Sequence, residues 1–136
     1  MSFTQATDQM FLAIIANSTT FTASSPIYLA LSTTTPTYAG TNFTEPSSNG
    51  YARVAIATSP HTASFSLPSG SPVSTSNTVV FTFPQATGSW GTITYFGLFD
   101  FTGTILLGYG AMTTPQTISA GQTLTFPVGS ITLSIN

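Results

Sequence analysis

Five side chains in this sequence could take part in proton transfer or ionic chemistry: Asp8, Glu45, Arg53, His61 and Asp100. Two of the three carboxylates facing each other across a cleft would suit glycoside hydrolysis, one as acid and the other as base or nucleophile. His61 between a serine and Asp8 or Asp100 would suit acyl transfer. The surroundings of these residues argue against both. His61 sits in Ser59-Pro60-His61-Thr62, a turn-like setting, and no G-x-S-x-G elbow is present. Serines are so frequent that a triad could be written almost at will. Asp8 falls at the start of a helix and Asp100 at a hairpin end, where carboxylates have ordinary structural roles. One histidine, no cysteine and three scattered acids do not make a four-ligand transition-metal site. A calcium site from loop carbonyls with Glu45 or Asp100 has oxygens to draw on but no motif behind it. The expectation is no catalytic residues, no metal and no cofactor.

Arg53 is the only cation apart from the terminus, and it lies in a segment otherwise made of Tyr, Ala, Val and Ile. A buried guanidinium must be paired, because an unpaired buried charge is very costly. Glu45 and Asp100 are the candidate partners. Asp100 is preferred, since a carboxylate at a strand end can be held by the hairpin; the alternative use of Arg53 is a contact between subunits.

Only 3% of the 136 residues are charged, against about 25% in a typical soluble domain. Thr and Ser must cover the surface instead, bonding water without carrying charge. A formal net charge of −2 gives little self-repulsion, which favours life in an assembly. Nucleic acid is excluded as a partner, because phosphate neutralisation needs several Lys or Arg. Attachment to anionic lipid fails for the same reason. The N-terminus lacks a basic region before its apolar run and does not read as a secretory signal. The run 10–16 is too short to span a bilayer, so no membrane insertion is expected.

Residues 1–18 form the one predicted helix. Ser2 as N-cap and Gln5 three residues on fit a capping box. Phe3, Met10, Phe11, Ile14 and Ile15 share one face, Asp8 suits the positive end of the helix dipole, and Asn17-Ser18-Thr19-Thr20 closes the helix. From residue 25 to 136 the period changes to two. Ile27, Leu29 and Leu31 alternate with Tyr28, Ala30 and Ser32. A loop from Thr33 to Gly50 is long enough to suggest a function. Further strands are predicted over 51–56, 63–67, 78–83 and 92–99, the last with Ile93, Tyr95 and Gly97 on one face and Thr94, Phe96 and Leu98 on the other. A hairpin at 100–103 leads into 104–112, where Gly108 and Gly110 imply a bulge or close backbone approach. A short edge piece at 116–118, then 123–126 and 131–135, complete the series. Eight or nine short strands between Gly/Pro/Ser/Asn turns predict an all-β, antiparallel, jelly-roll-like β-sandwich with one short N-terminal helix, in a single domain over 1–136. The candidate interface anchors are Met10, Phe11, Ile14 and Ile15 on the helix, with Trp90, Tyr95 and Tyr109 among the aromatic residues.

Four stretches resemble a family of small phage virion proteins, often labelled tail fibre or minor structural proteins. They are Pro26-Ile27-Tyr28-Leu29-Ala30-Leu31-Ser32-Thr33; Glu45-Pro46 with Asn49-Gly50-Tyr51-Ala52-Arg53-Val54; the most specific stretch, Phe83 through Trp90 to Asp100; and Ile118-Ser119-Ala120-Gly121 with Phe126 to Leu133. The helix departs from the family pattern in being more apolar and lacking the charged residues expected there, and the hairpin in lacking a second glycine. The resemblance implies a virion component without catalytic residues, assembled in the host cytoplasm, whose partners are copies of itself, as a homotrimer, and the major capsid protein or other virion proteins. The compact size favours a capsid decoration or cement protein on the outside of the head. The alternative is a tail fibre or tail-tip module contacting the host, with 33–50 as the contact loop.

Overall fold

Alternating apolar and hydroxyl-bearing residues lay down β-strands that pair antiparallel throughout. The computed structural model describes residues 1–16, 25–57 and 64–135. Its elements are β1 (Ser2–Phe3), α1 (Gln5–Ala16), β2 (Ile27–Ser32), β3 (Val54–Ala57), β4 (Val73–Ser76), β5 (Phe81–Thr82), β6 (Gly91–Phe99), β7 (Leu106–Ile118), β8 (Thr125–Phe126) and β9 (Thr132–Ile135). One sheet has the order β1-β7-β6-β2-β3, and two ribbons, β4-β9 and β5-β8, complete the set. The pairs β4–β9, β5–β8 and β6–β7 are nested in sequence, as in a long hairpin folded over on itself. The fold is an all-β sandwich with one short N-terminal helix, as the sequence predicts.

The main core lies on one face of the large sheet. Leu29 and Leu31 of β2, Ile56 of β3 and Phe96 and Leu98 of β6 meet Phe81, Phe83, Leu124, Phe126 and Ile131 from the ribbon side. Phe126 sets its ring across Phe96 at 5.2 Å and tilts against Phe83 at 6.2 Å. The other face carries a smaller cluster of Ala30, Phe99 and Leu106, covered by Phe43 from the 33–50 loop. Strand β2 thus has apolar residues on both faces, because both are covered.

Several elements differ from the sequence expectation. Along β6, Ile93 pairs with Gln116 but Tyr95 pairs with Ala111. The extra β7 residues bulge out around Pro115, which cannot donate to the ladder. The register shift puts Ile93 in the same core as Phe96 and Leu98, not on the face of Tyr95 and Gly97. It also joins the predicted edge piece 116–118 to β7 as one strand. Residues 64–67 form no strand, only a bridge from Phe65 to Asn77. Strand β4 falls in a Ser/Pro/Gly-rich stretch between two predicted strands.

The helix begins later than the capping box suggests. Ser2 and Phe3 are extended and pair with Tyr109 and Gly108 of β7, so Ser2 has no helix to cap. Thr4 takes that place: its carbonyl accepts from the N–H groups of Thr7 and Asp8. The closing residues 17–20, His61 and the start of the predicted strand at 63–67 lie outside the described residues.

Both explanations offered for the β7 glycines apply. The register shifts beside Gly108, and a Cβ there would meet the Ser2 carbonyl at 3.0 Å. A Cβ on Gly110 would come within 2.7 Å of the Phe96 ring, against which Phe126 is packed. Gly110→Ala is therefore expected to destabilise the fold by about 1–3 kcal/mol through overpacking. A urea unfolding midpoint equal to that of the unsubstituted protein would show that the Phe96 ring has room to withdraw.

Candidate functional site

Tyr51 and Arg53 stand two residues apart in an extended segment and so face the same way. Both meet Glu45, at the end of the 33–50 loop. Arg53 Nε donates to Glu45 Oε1 at 2.9 Å and Oε2 at 3.1 Å, and Nη2 donates to Oε2 at 2.7 Å. Nη1 donates to the Gly103 carbonyl at 2.6 Å, and the guanidinium lies 3.8 Å from the centre of the Phe99 ring. The bond to Glu45 leads the effects that hold the Arg53 pKa above its already high value. The Leu31 N–H donates to the Tyr51 hydroxyl, which donates to Glu45 Oε1 at 2.7 Å. Burial, reinforced by Glu45, drives the Tyr51 pKa far up and keeps the phenol protonated.

Glu45, not the preferred Asp100, is thus the partner of Arg53. The reason is local. Asp100 is engaged by its own hairpin: its Oδ2 accepts from the Thr102 hydroxyl at 2.7 Å, and its Oδ1 from the N–H groups of Thr104 and Ile105 at 3.1 and 2.9 Å. Burial works to raise the Asp100 pKa, but these bonds outweigh it and hold the group below its usual value. Asp8, near the start of α1, accepts from the Tyr38 hydroxyl at 2.7 Å, a bond that raises the Tyr38 pKa. The three carboxylates are thereby used in three separate places. Among the described residues no group of three His, Cys, Asp or Glu could hold a metal, and no helix is long and apolar enough to cross a membrane.

The candidate interface residues divide. Trp90 is 4% exposed, sits edge-on to Tyr51 and donates its indole N–H to the Asn49 carbonyl at 2.9 Å. It is a core residue, which removes it from the anchors. Tyr95 and Tyr109 are half-buried neighbours with ring centres 6.5 Å apart. On α1, Met10 and Ile14 are half-buried, while Phe11 is 41%, Leu12 65% and Ile15 81% exposed. Sequence reasoning misses Leu12 because it falls off the 3.6-residue stripe that defines the face. It misses Tyr51 and Tyr38 too. For Tyr51 the signal is available in its period-two spacing with Arg53; for Tyr38 there is none, since its contact with Asp8 joins a loop to a distant helix.

Two hollows open between the described residues. One, about 380 Å³, runs between the β7 bulge and the β8–β9 side and is lined by hydroxyls, Met1, Met112 and Phe126, with no charged side chain. The other, about 130 Å³, is walled by Phe3, Pro68, Val73, Leu133 and Ile135.

Fold and site together define a β-sandwich protein whose ionic groups are engaged in its own architecture and whose helix turns apolar side chains outward. The family model described as "Podophage GP4 fiber I protein gp80" matches residues 2–134, and the chain belongs to that family: it is a fibre-type structural component of a phage virion. No curated protein matches it.

Arg53→Ala is expected to cost about 2–3 kcal/mol in chemical denaturation, given charged hydrogen bonds in a partly exposed site. Arg53→Lys should recover less than half of that, because an ammonium cannot reproduce the planar fork. Full recovery by Lys would mean that charge alone matters here. Asp100, lowered on folding, should stabilise the hairpin above the ordinary carboxylate value of about 3.9 and lose that contribution as pH falls through the lowered one. Amide exchange at Thr104 and Ile105 between pH 5 and pH 2 reads this directly; protection lost already above pH 5 would contradict it.

Proposed function

We propose that this protein is a non-enzymatic fibre-type module of a short-tailed phage particle, built as a homotrimer and fastened to neighbouring virion proteins through its uncharged surfaces. The observation that carries the reading is the fate of the charges. All four charged side chains of the chain are engaged internally: Asp8 with Tyr38, Glu45 with Arg53, and Asp100 with its hairpin backbone. A hydrolase of the two-carboxylate type needs acids that face a substrate across a cleft, and these three face their own chain. Exposed Phe11, Leu12 and Ile15 suit protein contact, where apolar groups form the centre of an interface.

The 33–50 loop supports a passive role. Thr34, Thr37 and Asn42 bond it to itself, and Phe43 and Glu45 fasten it to the sheet. Its exposed Tyr38 remains available as one point of contact with a host surface. The family's name favours the fibre reading. Nothing comparable supports the expected place on the head, with the major capsid protein as partner.

Phage made without this gene should keep intact, genome-filled heads and lose appendages at the tail when imaged as frozen particles. Normal tails on heads that burst more readily on warming would overturn the fibre reading in favour of a shell cement. Purified protein should release no sugar fragments from host envelope polysaccharide; release of such fragments would overturn the non-enzymatic part.

A further inference from the structure

The helix is fastened by polar bonds. The hydroxyls of Thr4 and Thr7 donate to the carbonyls of Leu106 and Leu107, and the Gln5 N–H donates to the Tyr38 carbonyl at 2.9 Å. Thr7 is its one buried residue. The apolar side of α1 is therefore free to face elsewhere, and it does not end at the helix. The Phe11 ring stands edge-on to Phe3 at 5.9 Å. Phe3 in turn forms a wall of the 130 Å³ groove with Pro68, Val73, Leu133 and Ile135, whose lining is almost wholly apolar. Leu67, next to Pro68, is 89% exposed, and Val73 and Ile135 are about half exposed. Helix and β4–β9 ribbon thus share one continuous apolar surface.

We infer that this surface is the contact between copies of the chain, with an aliphatic side chain from one copy's α1 seated in the groove beside Phe3 of the next. Area and charge together point to a second copy. At about 150–250 Å² for a large side chain, the exposed parts of Phe11, Leu12, Ile15, Leu67, Val73 and Ile135 amount to on the order of 550–950 Å². That exceeds the few hundred Å² that monomers ordinarily show, and, divided between ridge and groove, it supplies an apolar centre for each contact within the roughly 800 Å² that each partner contributes to a standard interface. The surface carries ridge and groove on the same molecule, which lets identical copies close a ring head to tail. Among the described residues it carries a single charged side chain, Asp8, one turn before Leu12, whose carboxylate accepts from the Tyr38 hydroxyl. An occupant must offer a face almost free of charge, and this chain, 3% charged, does so.

The inference rests on the homotrimer reading above, and the test separates the two. Light scattering should give a trimer mass for the unsubstituted protein. Leu12→Glu and Ile15→Glu should each give the monomer mass with an unchanged far-ultraviolet spectrum. Val128→Glu, which places the same charge at a position 60% exposed outside this surface, should remain trimeric. Because the chain has no cysteine, an equal mixture of Ile15→Cys and Val73→Cys proteins should form a disulfide-linked pair containing one of each. A trimer that survives both helix substitutions would overturn this surface and leave the oligomer standing. Loss of the trimer in Val128→Glu as well would also overturn it. A monomer in the unsubstituted protein would overturn both.

Discussion

One guanidinium holds together three parts of this chain that are far apart in sequence. Arg53, just before β3, bonds Glu45 at the end of the long loop and the Gly103 carbonyl in the β6–β7 hairpin, while its flat face covers Phe99. An ion pair that still touches solvent contributes little on its own. The difference here is that a rigid fork of donors meets all its acceptors at once, on top of an aromatic ring. Ordering an eighteen-residue loop is entropically costly, and the Arg53 fork, the Phe43–Phe99 contact and the threonine hydroxyls within the loop share that cost. Gly103 belongs to the same arrangement. Its φ is +72°, a conformation that strains other residues, and a Cβ at this position would stand 3.1 Å from Arg53 Nη1, so that the guanidinium would have to give way.

The repeating parts of the fold are legible in the sequence, and the exceptions are obscure. The alternation of Ile27, Leu29 and Leu31, the Asp100–Gly103 hairpin and the closing strand around Leu133 follow from period two and from glycine at a turn. The bulge opposite Ile93 and Tyr95 does not, because Pro115 signals a break without saying whether the strand resumes. A one-residue error of register there moves Ile93 to the wrong face. Strand β4 is invisible for a different reason: Val73-Ser74-Thr75-Ser76 has the composition of a loop and is a strand only because β9 lies beside it. The partner of Arg53 is open to two readings in the sequence. What decides it is that backbone N–H groups already occupy Asp100, a competition that no side-chain pattern records.

The N-terminal helix shows how far local and tertiary preferences can separate. Twelve residues are marginal for an isolated helix in water, and apolar packing onto the parent domain is the usual support. Here the first turn is held by hydroxyls and amides against the start of β7, and the later turns display aliphatic side chains. The capping box at Ser2 fails because pairing with β7 claims that residue first. The same pairing, by carrying Phe3 to the sheet edge, places an aromatic ring between the helix and the β4–β9 ribbon.

A surface clothed in threonine and serine also sets how this protein meets others in time. Long-range attraction between charges can raise the rate of encounter by orders of magnitude and makes it depend on ionic strength. The cation and one acid cancel, and the remaining two acids leave a formal net charge of only −2, so the field that extends into solution is weak. Encounters then proceed at the ordinary diffusive pace, roughly 10⁵–10⁶ M⁻¹s⁻¹, nearly alike in dilute and in salty water. Selectivity among partners must reside in how slowly they part. For a component of a particle that leaves one medium and enters another, such indifference to salt means that what has been assembled in the cell is held by the same forces outside it.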